Sequence, residues 1–159
     1  MHEVHTLKPF FNSDSRILIL GSFPSVASRD AMFYYAHKTN RFWPILSALT
    51  GQDASTLEEK KNLLSSHHIA LYDVIESCSI VGSEDSKIKD AEPSDLSIIT
   101  KNANIEVIFT NGNKASSLYK RYLEKEYGKA IALPSTSSAN ASMSFERLLE
   151  KWIVLKKYI

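Results

Sequence analysis

The sequence predicts an α/β domain: three layers, with a mostly parallel four-stranded sheet between helices. Two observations carry this. Four short apolar runs recur, RILILG at 16–21, IALYDVI at 69–75, IEVIFTNG at 105–112 and AIALP at 130–134. Between them lie segments with helical spacing and helix start and stop residues. Such alternation is the pattern of parallel strands joined by covering helices. The length of 159 residues, 43% of them hydrophobic, suits a single domain over 1–159 with a core of its own.

RILILG ends in Gly21 and reads as a buried strand. Residues 22–39 show no period and read as a long loop. A helix is expected from Phe42 to Leu49, with Pro44 in its first turn and Gly51 as its stop. Thr56 and Glu59 form a capping box that opens a helix carrying Leu57, Leu63 and Leu64 and fading at His67-His68. The second strand spans 69–75. Residues 76–92, with Gly82, read as polar loop, and 93–103 as a helix with Pro93 near its start. The strand at 105–112 leads into an amphipathic helix reaching Tyr127 and stopped by Gly128. After the fourth strand comes a hydroxyl-rich loop, STSSANAS, and a last helix over 143–157.

Composition narrows the function. Lysine and arginine number 19 against 18 acidic residues, so bulk charge does not point to nucleic acid, although charge focused on one face would serve. The lone cysteine, Cys78, supports no disulfide framework, cysteine zinc site or iron–sulfur cluster, and reads as a small buried hydrophobe. His67 and His68 are adjacent and point apart on a helix, and no third ligand is in view, so no metal is expected. GSFPS after the first strand lacks both G-x-S-x-G and the glycine-rich phosphate loops, so no nucleotide cofactor is expected either. No apolar run is long enough to span a membrane and the first residues lack a signal-peptide core. The expectation is a soluble intracellular, monomeric protein.

In parallel α/β folds, ligands bind outside the carboxyl ends of the strands. That singles out Gly21–Asn40, Asp73–Gly82, Asn111–Lys114 and Pro134–Asn140. The stretch YYAHKTNRFW at 34–43 concentrates aromatic rings and amides in a connecting segment. Rings offer flat faces, and an amide offers a donor and an acceptor together.

These residues carry a resemblance. The run from Ile17 to Leu46 resembles the first motif region of the uracil-DNA glycosylase superfamily, and in particular the mismatch-specific enzymes. Those have Gly-Ile-Asn-Pro-Gly and then Phe-Ala-His-Pro-Ala-Asn-Arg-Phe-Trp. Here the residues are Gly21-Ser22-Phe23-Pro24-Ser25 and Tyr35-Ala36-His37-Lys38-Thr39-Asn40-Arg41-Phe42-Trp43, with no gap in spacing. Leu133-Pro134-Ser135-Thr136-Ser137-Ser138 is placed like the second motif, and TNGNKA at 110–115 looks like the superfamily's turn after a strand. Phe23 stands where the superfamily usually has its catalytic Asn, and Leu133 where it has His or Asn. The whole pattern is most similar to the hypoxanthine-DNA (deoxyinosine) glycosylase branch.

The resemblance implies a DNA repair enzyme. It would hydrolyse the N-glycosidic bond of a flipped deaminated base, hypoxanthine first and uracil weakly, without metal or organic cofactor. Its partner would be single- or double-stranded DNA. Asn40 is implied to align the water, with His37 as proton donor or phosphate contact. Tyr35 would stack on the base, and Asp73 would read its edge as an acceptor. Gly21, Ser22, Phe23, Pro24 and Asn111 would line the pocket. Ser25, Gly112, Asn113 and Lys114 would contact DNA, as would Pro134, Ser135, Thr136, Ser137 and Asn140 from the second motif loop.

Plainer readings stand beside these. Tyr34, Tyr35, Phe42 and Trp43 suit a core, Asn40 suits a helix cap, Asn111 a turn, and the serine loop a plain turn. Two other functions compete: a mismatch-type uracil glycosylase with a displaced catalytic Asn, and a non-catalytic nucleic-acid-binding module on the same fold.

Overall fold

The structure, a computed structural model, describes residues 2–5, 7–79 and 89–159, with the backbone alone at 2, 3, 78, 79, 89 and 90. The reading of Gly82 as loop and of the Cys78 side chain as buried lies outside the described residues. The strands are β1 (His2–Val4), β2 (Ile17–Gly21), β3 (Ile69–Asp73), β4 (Ile75–Ser79), β5 (Lys89–Pro93), β6 (Val107–Asn111) and β7 (Ile131–Leu133). The helices are α1 (Val26–Ala31), α2 (Phe42–Thr50), α3 (Leu57–Ser66), α4 (Ser97–Thr100), α5 (Asn113–Tyr122), α6 (Glu124–Tyr127) and α7 (Phe145–Trp152), followed by a 3₁₀ turn over Ile153–Lys157.

The central sheet has the order β3-β2-β6-β7 and every neighbouring pair is parallel. The four runs expected as strands form it. β2 and β3 are buried at every position, as strands covered on both faces must be. The chain runs from β2 outward to β3, then returns past β2 to β6 and β7. Right-handed crossovers with this reversal place the connecting helices on opposite faces and open a crevice at the carboxyl ends near β2 and β6. Fully buried Phe42, Trp152, Phe109 and Tyr119 fill the core with the strand residues.

Several boundaries differ from the sequence reading. The expected strand 69–75 breaks at Val74, because Ile75 leaves to join a second sheet, the antiparallel β1-β4-β5. These strands are short and polar, so no apolar run announced them. α1 lies within the expected loop 22–39; at six residues it is too short to display a period, though Ser25 caps it by accepting from Ser28 N. The helix expected over 93–103 is one turn, because Lys89–Pro93 pairs with β4. The helix expected to reach Tyr127 breaks at Leu123, and the last helix starts only at Phe145, capped by Ser144, and tightens to 3₁₀ after Trp152.

Candidate active site

A cleft of about 120 Å³ opens at the carboxyl end of the parallel sheet. Each strand end delivers a residue to it. β2 ends in Gly21 and continues as Ser22-Phe23-Pro24-Ser25, all of which line the cleft. β3 delivers Asp73, β6 delivers Asn111, and the segment after β7 delivers Ser135, Thr136 and Ser137. Tyr34, Tyr35 and Asn40 close it from the loop before α2.

Gly21 and Asp73 are register partners on neighbouring strands. A Cβ at Gly21 would lie 2.4 Å from Asp73 Oδ1 and 3.2 Å from Tyr35 Oη. Only glycine leaves room for the carboxylate. Among the described residues Asp73 is the one carboxylate lining the cleft, and it is only 3% exposed.

Asn40 is held by one backbone and one side-chain contact. Its Oδ1 accepts from Phe42 N at 2.9 Å and from Thr136 Oγ1 at 2.8 Å. Thr136 N donates to Asn111 Oδ1 at 3.0 Å, and Asn111 Nδ2 donates to Thr136 Oγ1 at 3.0 Å. A backbone N–H can only donate, so both amide orientations are fixed by the network. Both lone pairs of Asn40 Oδ1 are taken. Its Nδ2 has no partner among the described residues, so the amide offers the cleft a donor and no acceptor.

Tyr35 stacks on Phe42 with ring centroids 3.9 Å apart and planes 22° from parallel. Its φ of 55° is the left-handed conformation that a tyrosine adopts only when its surroundings impose it. Tyr34 donates to Lys8 O at 2.8 Å, and Trp43 Nε1 donates to Tyr34 O at 3.0 Å. Burial first, then the Asp73 carboxylate, push the Tyr34 phenol well above its ordinary value, so it stays protonated.

Other expected residues fall at the rim or in the scaffold. His37 is exposed and does not line the cleft; its Nδ1 faces Thr39 N at 3.2 Å and Thr39 Oγ1 at 2.8 Å. That position does not suit a proton donor to a base in the cleft. Thr136, expected as a phosphate contact, is fully buried and instead joins Asn40 to Asn111. Asn140 Nδ2 donates to Ser135 O at 3.1 Å and so braces the loop. Pro134 O accepts from Trp152 Nε1 at 2.9 Å. Gly112 sits under Ser135, where a Cβ would come 3.0 Å from Ser135 Cβ, and its φ of 100° also favours glycine. Asn113 and Lys114 begin α5 just outside the cleft. Ser135 and Ser137 each accept a backbone N–H two residues on, which leaves their O–H groups as donors.

Two residues complete the site without having been expected there. Arg41 reaches the carbonyls of Thr136, Ser137, Asn140 and Met143 with its guanidinium, and its backbone N donates to Thr136 O at 2.9 Å. His5 arrives from the N-terminal segment and puts Nε2 2.8 Å from Asp73 Oδ2. Nothing local in the sequence marks His5, because its partner is 68 residues away.

Comparison with known proteins gives the family. The uracil DNA glycosylase superfamily matches over residues 8–156. A hypoxanthine DNA glycosylase of Methanosarcina barkeri is 34% identical over 135 residues, which is 83% of this chain and 85% of the relative. One from Methanosarcina acetivorans is 34% identical over 139 residues, 86% and 87% of the two chains. The solution NMR structure of a candidate uracil DNA glycosylase from Methanosarcina acetivorans superposes with a TM-score of 0.78 at 31% identity, covering 98% of this chain and 99% of that one. With the family matched over nearly the whole chain and the fold superposing at 31% identity, the chain belongs to the uracil DNA glycosylase superfamily.

Proposed function

We propose that the protein is a monofunctional DNA N-glycosylase that flips a deaminated base, hypoxanthine by preference, into this cleft and hydrolyses its bond to the sugar. It acts as a monomer on single- or double-stranded DNA. One observation carries the reading: an acceptor-only carboxylate, Asp73, and an amide restricted to donation, Asn40, share a cleft with the braced ring of Tyr35. Hypoxanthine presents an N–H where adenine presents a bare ring nitrogen. Asp73 Oδ1 accepts the first and is repelled by the second. Tyr35, backed by Phe42, supplies a flat surface, and stacking on an aromatic ring is worth roughly 1–3 kcal/mol per base. Phe23 lines the wall beside it.

The C1′–N9 bond breaks towards an oxocarbenium-like sugar, its electrons move into the purine, and water adds hydroxide to C1′ while a proton reaches the departing base. Asn40 acts on the leaving group. Its carbonyl is occupied, so it does not hold water as an acceptor, but Nδ2 donates to a ring nitrogen or oxygen that gains charge. Ser135 and Ser137, with the α5 start at Gly112–Lys114, offer donors to the flanking phosphates.

Uracil also carries an N–H that Asp73 accepts, which is the specific ground for a mismatch-type uracil reading. Single-turnover excision from matched duplexes holding one deoxyinosine, one deoxyuridine or neither separates the two. Hypoxanthine release outpacing uracil release is expected. Faster uracil release selects the other branch, and no release of either base at enzyme excess selects a non-catalytic DNA-binding module.

A further inference from the structure

We propose that His5 is a specificity-determining positioning residue. It donates through Nε2 to Asp73 Oδ2 and so fixes Oδ1 as the acceptor that meets the base. The inference rests on the reading of the cleft as a base pocket.

The tautomer follows from hydrogen bonding. Leu7 N donates to His5 Nδ1 at 3.2 Å. That nitrogen therefore keeps its lone pair, and a neutral ring must carry its proton on Nε2. Nε2 lies 2.8 Å from Asp73 Oδ2, with the His5 side chain 0% and the Asp73 side chain 4% exposed. A carboxylate so buried is costly unless a donor reaches it. His5 is such a donor, at 2.8 Å from Oδ2.

The ring cannot swing away. Its centroid is 4.8 Å from that of Tyr72, 5.8 Å from Phe23 and 6.3 Å from Tyr34. Oδ1 occupies the space that Gly21 leaves by having no side chain, where a Cβ would lie 2.4 Å from it. Oδ2 is thus tied to His5, and Oδ1 is the oxygen on the Gly21 side that can accept from a base. Adenine is refused by an acceptor facing an acceptor. By holding Oδ2, His5 sets which oxygen meets the base and so protects selectivity at an atom it does not touch.

A space-filling role would be met equally well by phenylalanine, and this separates the two readings. The experiment compares wild type, His5→Phe and His5→Gln in single-turnover release from duplexes carrying deoxyinosine or deoxyadenosine at one position. The ¹⁵N spectrum of the His5 ring at pH 7.5 accompanies it. The expected spectrum shows a protonated Nε2 and a bare Nδ1. His5→Phe is expected to lose roughly 10- to 100-fold in hypoxanthine release, the range for a hydrogen bond to a charged group, and to lower the hypoxanthine-over-adenine ratio. His5→Gln, which again offers an N–H, is expected to restore most of both. His5→Phe with wild-type rate and ratio overturns the inference, as does a ring protonated at Nδ1. His5→Gln as impaired as His5→Phe, both folded, overturns it too. Wild type that releases no base at enzyme excess overturns the base-pocket reading and this inference with it.

Discussion

Asn111 and Thr136 hold each other by two opposed hydrogen bonds of 3.0 Å, backbone to carbonyl in one direction and amide to hydroxyl in the other. The pair ties the end of β6 to the loop after β7, and through the Thr136 hydroxyl it reaches Asn40. Thr136→Val keeps the shape but removes this hydroxyl, leaving Asn111 Nδ2 without its acceptor. The expected cost is roughly 1–3 kcal/mol in urea unfolding, with slowed excision. Thr136→Ser keeps the hydroxyl and should retain both. Equal behaviour of the two variants would remove Thr136 from the network's function.

Asn40→Asp tests the donor role directly. A carboxylate still accepts from Phe42 N and Thr136 Oγ1, so the fold is preserved, but nothing remains to donate into the cleft. The single-turnover rate should fall roughly 100- to 1000-fold, with melting close to wild type. A variant that keeps its rate would show that Asn40 only caps α2.

Gly21→Ala places a methyl group where Asp73 Oδ1 lies. The carboxylate must move, and misplacement of a contacting group by about 1 Å can cost roughly 100-fold in rate. Hypoxanthine release should fall by that order while DNA affinity, set by phosphate contacts, changes little. Unchanged release would show that Asp73 does not read the base.

Alkaline pH should destabilise the protein through its buried phenols. The folded-state value of Tyr34 is raised, by burial first and then by Asp73, Tyr72 and Tyr35. The unfolded chain therefore loses this proton first as pH rises through about 10, and the folded state binds more protons. Stability is full below that value and declines above it, with a limiting slope of about 1.4 kcal/mol per pH unit for each such phenol. Tyr34→Phe should flatten the fall measured by urea denaturation between pH 9 and 11. An identical slope in the variant would sink the assignment.

Much of this architecture was legible because the parallel strands are apolar through most of their length and end in the residues that matter. Gly21, Asp73 and Asn111 were readable as strand ends, and the cleft forms where strand ends converge. The antiparallel sheet was not legible: β5 reads Lys-Asp-Ala-Glu-Pro, and a polar strand whose partners lie elsewhere in the chain leaves no local period. His5 was missed for the same reason, since its meaning comes from Asp73. Thr136 looked like any hydroxyl in a serine-rich loop, and only its burial separates it from Ser135 and Ser137. Asn40 is marked by the resemblance, but which end of its amide faces the cleft is set by Phe42 N and by Thr136, which only the fold brings beside it.

The grip of Arg41 on the loop after β7 bears on how the enzyme could diversify. The guanidinium takes hold of carbonyl oxygens, at Thr136, Ser137, Asn140 and Met143. Every residue type carries that oxygen. Exposed positions such as Ala139, Ala141 and Ser142 can therefore be exchanged without asking the loop to find a new shape. Selection, or a combinatorial library, can rewrite the outer surface of this loop while one unchanged side chain keeps the frame. The tolerance should end at Arg41 itself, whose planar fork a lysine cannot reproduce.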